Sequence, residues 1–479
     1  MRNPLMIGSI NPDGKQREVL ALPPIGHTVV LGTAGSGKTT MALLRAIGLS
    51  KLPEHPKILV VTFNRSLVQY MKQMMQETDS SITVESYHKF ARGYLNSRGK
   101  MPQRNGIAEN HVKENLIREA ITQAKAEFPQ ESTFKRPIAV FVDEIAFIER
   151  FGFQSIHEYI KSERIGRASA NIKREKRKWF YQIYERYLAL RNKAGYAYDW
   201  DDLALYAYRD FLEDKSPRLY SHIIVDEGQD FSPVMLRSLT EATPPDGSFT
   251  FFGDVAQQIY GSRLSWRDAG IRITDNKIWK FNRNYRNPKT ITKFAQDITT
   301  SEYWASNIDM VPPQETIANG PKPVLLSFSS ERKELTMLIK QIRSVIHTSS
   351  NLIVLRTRAM IDQMQSTFAK ANIPATEITK ETPGFSSVKG VYLSTFHSAK
   401  GLEFDNVYIP LLSDDIFPDP ELLKTTTDEL ATLADELKLL YVAATRSKYG
   451  LYMSYHGTLS RLFPIYAQSY DLHSGDDLQ

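Results

Sequence analysis

Eight residues near the start of the chain could bind the phosphates of a nucleotide. Residues 32–39 read GTAGSGKT and match the pattern G-x-x-x-x-G-K-[ST]. The glycines let backbone N–H groups close around phosphate oxygens, and the N-terminus of a following helix adds partial positive charge. Lys38 can reach the β- and γ-phosphates, and the hydroxyl of Thr39 can hold Mg²⁺. The pattern therefore predicts a nucleotide-binding loop, rather than a plain Gly-rich turn, made of Gly32, Thr33, Ala34, Gly35, Ser36, Gly37, Lys38 and Thr39.

Two adjacent carboxylates follow an apolar run at 223–230, which reads IIVDEGQD. Asp226 would bind Mg²⁺ directly or through water, and Glu227 would polarise the attacking water. A DE pair after a strand is by itself a weak signal, because it is common in solvated loops. About 190 residues after a phosphate loop it indicates hydrolysis of a nucleoside triphosphate.

Short β-rich runs would position both groups. The run TVVL at 28–31 precedes the phosphate loop, and a helical pattern follows from 39 to 49. Other apolar runs form two clusters, which lie within 28–252 and 323–456. Because these runs alternate with longer helical stretches, they predict two α/β domains with parallel sheets. The predicted buried strands are 58–63, 222–225, 249–252, 352–355, 391–394, 407–410 and 451–454.

The stretch from about 96 to 198 is helical in pattern and rich in Lys, Arg and Glu, so it predicts a helical insertion in the first domain. Within it, apolar residues repeat every four positions and predict an amphipathic helix. The basic run KREKRK at 173–178 has two interpretations: it forms a solvated face, or it contacts nucleic-acid phosphates. The apolar stripe consists of Trp179, Ile183 and Tyr187 beside Phe180, Tyr184 and Leu188.

Composition excludes several classes of protein. The chain has 479 residues, 42% of them hydrophobic, and no cysteine, so disulfides and thiolate metal sites are excluded. No apolar segment reaches the length of about 18 residues that a membrane span needs. The N-terminus lacks the apolar stretch of a secretory signal, and we expect a cytoplasmic protein. A net charge of +6 permits a polyanionic partner without requiring one.

Further segments complete a set that resembles superfamily 1 helicases of the UvrD/Rep/PcrA type. The resemblance reaches both ends of the chain and implies two RecA-like P-loop NTPase domains. It implies a domain 1A at 1–95 and 199–285, a helical basic insertion 1B at 96–198, and a domain 2A at 286–479. Besides the two segments above, it rests on VVTFNRS at 60–66, SYHKF at 86–90, DWDDL at 199–203, GDVAQQIYGSR at 253–263, NYRN at 284–287, STFHSAKGLEF at 394–404 and LYVAATRSK at 440–448.

The resemblance also assigns roles around ATP and Mg²⁺. Gln16 would read the adenine edge, Tyr285 would stack on adenine, and Glu403 would lie near the ribose. Thr40 stands where many relatives carry an arginine near the nucleotide, which suggests a looser adenine pocket. The expected catalytic residues are Lys38, Glu227, the γ-phosphate sensor Gln257, and the two arginines from the second domain, Arg286 and Arg446.

The resemblance places single-stranded DNA along aromatic and basic side chains, as is typical of such grooves. Phe63, His88, Tyr260 and His397 match positions along the strand path, although Phe63 could be a core residue and the histidines could be structural. Ser262 replaces a stacking aromatic, for which Trp266 either substitutes or is simply core. Gly228 stands where Ala is commoner. The expected phosphate contacts are Lys173, Arg174, Lys176, Arg177 and Lys178.

Two family additions are expected to be absent. About 30 residues separate LIVLRTRAM at 352–360 from the segment at 394–404, too few for the helical domain 2B of larger relatives. Only a short stretch follows Arg446, which leaves no room for a C-terminal nuclease domain. Compact UvrD-like proteins with DEGQD occur as helicase-like subunits of bacterial anti-phage systems such as Gabija, beside a nuclease subunit, and this chain is similar in size and layout.

Two functions are therefore open. The first is an ATP-dependent motor that moves 3′ to 5′ on single-stranded DNA and serves a partner nuclease. The alternative is a regulatory subunit that senses DNA ends or nucleotides and activates that partner without processive unwinding.

Overall fold

The computed structural model describes most of the chain. The described residues are 12, 14–33, 35–75, 80–102, 106–162, 172–254, 266, 268–273, 278–304, 319–378, 388–399, 402–426, 429–465 and 468–478. Ala34, Gln257, Tyr260 and Ser262 lie outside these ranges, so their assignments stay predictions.

The first half of the chain builds a parallel sheet from six of the described strands. Their spatial order is β3-β2-β6-β7-β1-β8. Because every pairing is parallel, the carboxyl ends of the strands lie at one edge of the sheet. The strands are β1 (Gly26–Gly32), β2 (Ile58–Thr62), β3 (Ile82–Ser86), β6 (His222–Asp226), β7 (Ser248–Gly253) and β8 (Ile278–Phe281).

Helices cover both faces of this sheet. Alternate strand residues face opposite layers, so that Val29 and Phe251 belong to one buried cluster, whereas Val30 and Phe252 belong to the other. The helices are α1 (Gly14–Leu20), α2 (Lys38–Ser50), α3 (Arg65–Met75), α4 (Tyr87–Ser97), α9 (Leu203–Glu213) and α10 (Pro233–Glu241).

A mainly helical insertion separates α4 from α9. Its two ends meet in a short parallel pair formed by β4 (Ile107–Ala108) and β5 (Tyr198–Asp199). The predicted apolar stripe is confirmed: Phe180, Ile183, Tyr184 and Tyr187 are buried in a separate core. The helices are α5 (Asn110–Glu127), α6 (Ile138–Phe151), α7 (Ile156–Lys161) and α8 (Arg177–Lys193).

The second half builds another parallel sheet, from seven described strands in the order β11-β12-β10-β13-β14-β9-β15. These strands are β9 (Val324–Phe328), β10 (Ser350–Leu355), β11 (Ala375–Glu377), β12 (Gly390–Thr395), β13 (Phe404–Ile409), β14 (Ser447–His456) and β15 (Asp471–Ser474). The accompanying helices are α11 (Lys289–Thr299), α12 (Glu331–Val345), α13 (Arg358–Lys370), α14 (Pro420–Thr425) and α15 (Glu429–Ala444).

The α/β class with two RecA-like parallel sheets is thereby confirmed, and every buried run predicted from the sequence overlaps a strand, although Phe63 and Pro410 lie one residue beyond their strands. The strands that were not among the predicted runs are β3, β4, β5, β8, β9, β11 and β15. Within the described part of the chain, no helix is both long and apolar enough to cross a membrane.

Candidate nucleotide-binding site and nucleic-acid surface

The phosphate loop connects the end of β1 to the start of α2. Gly35 and Gly37 have φ values of 73° and 82°, which side chains other than glycine rarely adopt. A Cβ atom on Gly35 would also lie 2.7 Å from the Cβ of Arg286. The loop therefore needs glycine both for its backbone conformation and for the close approach of residues 284–287.

Lys38 lies inside this loop. Its Nζ donates to the carbonyls of Gly32 and Thr33, both at 2.8 Å, and lies 3.8 Å from the carboxylate of Asp254. Burial lowers the pKa of Lys38, while the charges of Asp254 and Glu227 act in the opposite direction. The ammonium group is thus held where the phosphates of a nucleotide would be bound.

Thr39 and Asp226 offer oxygen ligands next to Lys38. The Thr39 hydroxyl donates to Oδ2 of Asp226 at 2.7 Å, and none of the described residues donates to the buried Oδ1. Burial and the neighbouring Glu227 raise the pKa of Asp226 to about 7. A buried carboxylate oxygen without a donor, beside a hydroxyl, fits the oxygen coordination of Mg²⁺.

Glu227 directly follows β6 in a left-handed conformation, with φ 53° and ψ 41°. The side-chain amide of Gln229 donates to its carboxylate, and the amide oxygen of Gln229 accepts from the backbone N–H of Asp254 at 2.8 Å. Gln229 and Asp254 were not predicted as site residues from the sequence, although they stand in the segments DEGQD and GDVAQQIYGSR. Together they orient the group expected to activate water.

Residues near the second sheet bring cations to the same loop. The backbone N–H of Tyr285 donates to the carbonyl of Gly35 at 2.9 Å, and the charge of Arg286 helps to lower the pKa of Lys38. Arg446 is 1% exposed and donates from Nε to the carbonyl of Val442 at 2.8 Å. Burial, and then the charge of Arg286, lower its pKa to about 10. The two predicted arginines therefore lie together.

Glu403 lies beside these arginines. It accepts from Nε of Arg286 at 2.8 Å and pairs with Lys448 at 3.2 Å. Burial alone would raise its pKa, but the charges of Arg286 and Lys448 outweigh burial and hold the pKa at about 2. Lys448 was missed by sequence reasoning, although it ends the quoted segment LYVAATRSK.

The residues predicted to contact adenine lie next to the loop. Gln16 is buried and donates from Nε2 to the carbonyl of Ser36 at 3.1 Å. Tyr285 is 48% exposed, and the guanidinium of Arg283 lies 5.3 Å from its ring centroid. Thr40 is half-buried in the first turn of α2.

Family comparison agrees with this geometry. The UvrD/REP helicase N-terminal domain family matches residues 13–282, and the UvrD-like helicase C-terminal domain family matches 279–385 and 376–458. The chain belongs to the UvrD/Rep helicase family. Members of this family are ATP-hydrolysing DNA helicases, which assigns the chain to that enzyme class.

Three relatives show how far this family resemblance extends. A probable DNA helicase of Mycoplasma pneumoniae is 24% identical over 89% of this chain and 80% of its own length. A probable DNA helicase II homolog of Mycoplasma capricolum is 25% identical over 72% of this chain and 49% of its own length. The putative ATP-dependent DNA helicase YjcD of Bacillus subtilis is 25% identical over 68% and 43%. The chain thus spans less than half the length of each of the last two relatives.

In this UvrD/Rep chain, three rings follow one another beside the ends of β2 and β3. The ring centroids of Phe63 and His88 are 5.5 Å apart, and those of His88 and Trp200 are also 5.5 Å apart. All three residues are half-buried, and burial lowers the pKa of His88. Trp200 was not predicted from the sequence, because the segment DWDDL was interpreted only by its acidic residues. His397 is exposed after β12 of the other sheet.

The basic run divides into exposed and engaged residues. Lys173, Arg174 and Lys178 are exposed, whereas Nζ of Lys176 bonds to Glu131 at 2.8 Å. The assignment of Arg177 to a DNA surface is wrong, since its side chain is 5% exposed. Its guanidinium instead donates to the carbonyls of Tyr159, Ile160 and Ser162 at 2.7–2.9 Å.

Trp266 packs against the core of the first sheet. Its ring meets Phe251 edge-on, with centroids 5.1 Å apart at an interplanar angle of 80°. Of the two readings of Trp266, this contact favours the core residue over the substitute for a stacking aromatic at 262.

Proposed function

We propose that the protein is an ATP-dependent translocase that moves 3′ to 5′ on single-stranded DNA. The observation that carries the proposal is the convergence of Arg286 and Arg446 on the site that holds Lys38 and Glu227. Charges that meet from two parts of a chain make hydrolysis depend on how those parts are placed, so that hydrolysis can drive their movement.

The residues of this site have separable tasks in the proposed reaction. Thr39 and Asp226 would hold Mg²⁺, which would supply charge compensation for the phosphates. Lys38 binds the phosphates, and Glu227, oriented by Gln229, takes the proton of the attacking water. Arg286 and Arg446 stabilise the charge that develops on the transferred phosphoryl group.

The proposed DNA track begins at Phe63, His88 and Trp200. Half-buried rings in a row give bases a surface to stack on, which holds a strand without demanding a sequence. The exposed cations Lys173, Arg174 and Lys178 of the insertion would contact phosphates. In this proposal, residues 1–95 and 199–285 form domain 1A, 96–198 form 1B and 286–479 form 2A.

We further infer that the protein acts together with a protein partner. Between β10 and β12, the described elements are α13 and β11, which fits a layout without domain 2B. A motor of this layout would work beside a nuclease subunit, in an anti-phage complex of the Gabija type.

Steady-state hydrolysis of ATP with and without single-stranded DNA tests the motor. We expect DNA to stimulate the wild type, and we expect Lys38→Ala to lose hydrolysis in both conditions. Strand displacement from 3′-tailed and 5′-tailed duplexes, with and without proteins that co-purify from the host, then separates the two candidate functions. Hydrolysis that DNA does not change would refute the translocase, and nuclease activation without displacement would favour the regulatory subunit.

A further inference from the structure

The ring of Phe251 lies between two glycines of the nucleotide site. A Cβ atom on Gly228 would lie 2.5 Å from Cζ of this ring, and one on Gly253 would lie 2.6 Å from Cε1. Neither glycine has a positive φ. The space taken by the ring, and not the backbone conformation, therefore requires glycine at both positions.

Gly228 is the residue directly after Glu227. The turn that it begins is closed by two backbone hydrogen bonds, from Asp230 to Glu227 at 3.0 Å and from Phe231 to Gly228 at 3.1 Å. Glu227 itself has the left-handed conformation that non-glycine residues adopt only where their surroundings impose it. A ring packed against this turn can impose that conformation.

The ring of Phe251 also packs near the second residue that Gln229 contacts, Asp254. Gln229 joins the carboxylate of Glu227 to the backbone N–H of Asp254. Gly228 precedes Gln229, and Gly253 precedes Asp254, so Phe251 packs beside both anchor points of the bridge. The ring of Trp266 also packs against Phe251 in an edge-on arrangement.

Phe249 provides the contrast within the same strand. It is fully buried and belongs to the same core as Phe251, and its ring packs on His27 at 5.6 Å. Around the described glycines, none of the nearest atoms to a Cβ belongs to Phe249. Burial in the core alone therefore does not account for the contacts of Phe251.

We propose that Phe251 is a positioning residue for hydrolysis. Its ring fixes the turn that carries Glu227, and it makes glycine obligatory at position 228. This rests on the proposed ATP hydrolysis at Glu227. Phe251 itself touches no reacting atom and acts through the backbone of Gly228 and through Gln229.

A mutant cycle on the full chain tests the proposal, with kcat and KM for MgATP measured at saturating single-stranded DNA. We expect Phe251→Val to lower kcat about 10- to 100-fold while KM changes less than about 3-fold, because the base Glu227 is misplaced and nucleotide binding is not affected. Gly228→Ala alone should lower kcat at least as much. The double variant should recover about 10-fold over Gly228→Ala, because the smaller residue leaves room for the methyl group.

Phe249→Val is the matched control, since it removes the same atoms from the same core. It should lower the unfolding temperature about as much as Phe251→Val and leave kcat within about 3-fold. An equal loss of kcat in this control, or a double variant no better than Gly228→Ala, would overturn the proposal. Should Phe251→Val not fold, Phe251→Met keeps most of the volume and replaces it in the cycle.

Thermal unfolding of the four proteins separates failure of the inference from failure of the proposed function. Gly228→Ala should destabilise the wild type more than it destabilises the Phe251→Val background. If that coupling is present but the wild type hydrolyses no ATP, the packing is right and the proposed function is wrong. If hydrolysis is normal but coupling is absent, Phe251 has no positioning role.

Discussion

Two largely buried groups of charged residues in this protein differ in what their most buried cations contact. At the base of the insertion, seven residues form what we call the insertion cluster. There the Nζ of Lys113 lies 2.5–3.1 Å from the carboxylates of Glu149, Asp199 and Asp201. In the nucleotide site, Lys38 and Arg446 instead donate to backbone carbonyls. The members of the insertion cluster are Lys113, Glu149, Arg150, Arg191, Asp199, Asp201 and Asp202.

The difference separates a structural from a functional group of charges. Glu149, Asp199 and Asp201 are close enough to hold a metal ion, but the ammonium of Lys113 already lies among them. Direct ion pairs of this kind join helices α5, α6 and α8 to the segment that carries Trp200. A site that binds a charged ligand keeps its charges preorganised for that ligand. Mutations in the nucleotide site should therefore lower ATP hydrolysis more than stability, and mutations in the insertion cluster should lower stability more than hydrolysis.

The largest expected effect is the loss of hydrolysis in Glu227→Gln. The amide cannot accept the proton of the attacking water, so kcat should fall about 10²- to 10⁴-fold. The unfolding temperature should remain close to that of the wild type. Both are measured on one preparation, by ATP hydrolysis and by thermal unfolding. Full hydrolysis in this variant would remove Glu227 from the mechanism.

Lys113→Met should instead lower the stability of the fold. It leaves buried carboxylates without their cation, which costs about 3–5 kcal/mol in the free energy of unfolding. Urea denaturation measures the loss. Lys125→Met is the control, because Lys125 is exposed on the same helix and should change stability by less than about 0.5 kcal/mol. A similar small change in Lys113→Met would show that the insertion cluster does not stabilise the fold.

Sequence alone could not separate these two groups of charges. Lys38 stands in a pattern whose spacing is itself the signal, and so do Asp226 and Glu227. Lys113 is one lysine among many on a polar helix, and only the fold places it among three carboxylates. Arg177 likewise reads as one of several basic residues in a row, although its side chain turns inward to α7.

The strands also fall into those that the sequence predicts and those that it does not. Strands β1, β6 and β7 are buried on both faces and read as continuous apolar runs, so they could be predicted. Strand β15 is exposed throughout at the edge of its sheet, and β8 has only Phe281 buried. Such strands form because a neighbour offers a backbone partner, which leaves little trace in residue type. The pairing of Gly228 with Phe251 is also tertiary, since 22 residues separate them in the sequence.

The surplus charge of the insertion cluster predicts a pH effect of intermediate size. Its four carboxylates face the three cations of Lys113, Arg150 and Arg191. Burial and the charge of Asp199 raise the pKa of Asp202 to about 7, and burial also raises the pKa of Glu149. The folded protein therefore keeps a proton that the unfolded chain releases near pH 4.

Because the folded pKa of Asp202 is raised, its contribution to stability is complete below about pH 4 and is lost by about pH 7. Relative to Asp202→Asn, the wild type should lose about 2 kcal/mol across this window, since Glu149 shares the surplus proton. Denaturation at several pH values measures the difference. Asp214→Asn is the control with the opposite sign, because hydrogen bonds from Ser216 lower the pKa of Asp214 to about 2. A flat difference for Asp202→Asn would mean that the insertion cluster is neutralised without the extra proton.

The smallest expected effect concerns cations outside both groups. Replacing Lys173, Arg174 and Lys178 by Gln removes exposed charges, so the slope of log affinity against log salt should fall by up to about 2, or roughly 0.7 for each DNA phosphate that is no longer neutralised. Fluorescence anisotropy with single-stranded DNA measures this slope. Lys176→Gln should change the slope less, because Glu131 already pairs with that ammonium. Arg177→Gln should lower stability without changing the slope, since its guanidinium is bound to carbonyls of the insertion. An unchanged slope in the triple variant would make these residues a solvated surface and leave Phe63, His88 and Trp200 as the proposed contacts with DNA.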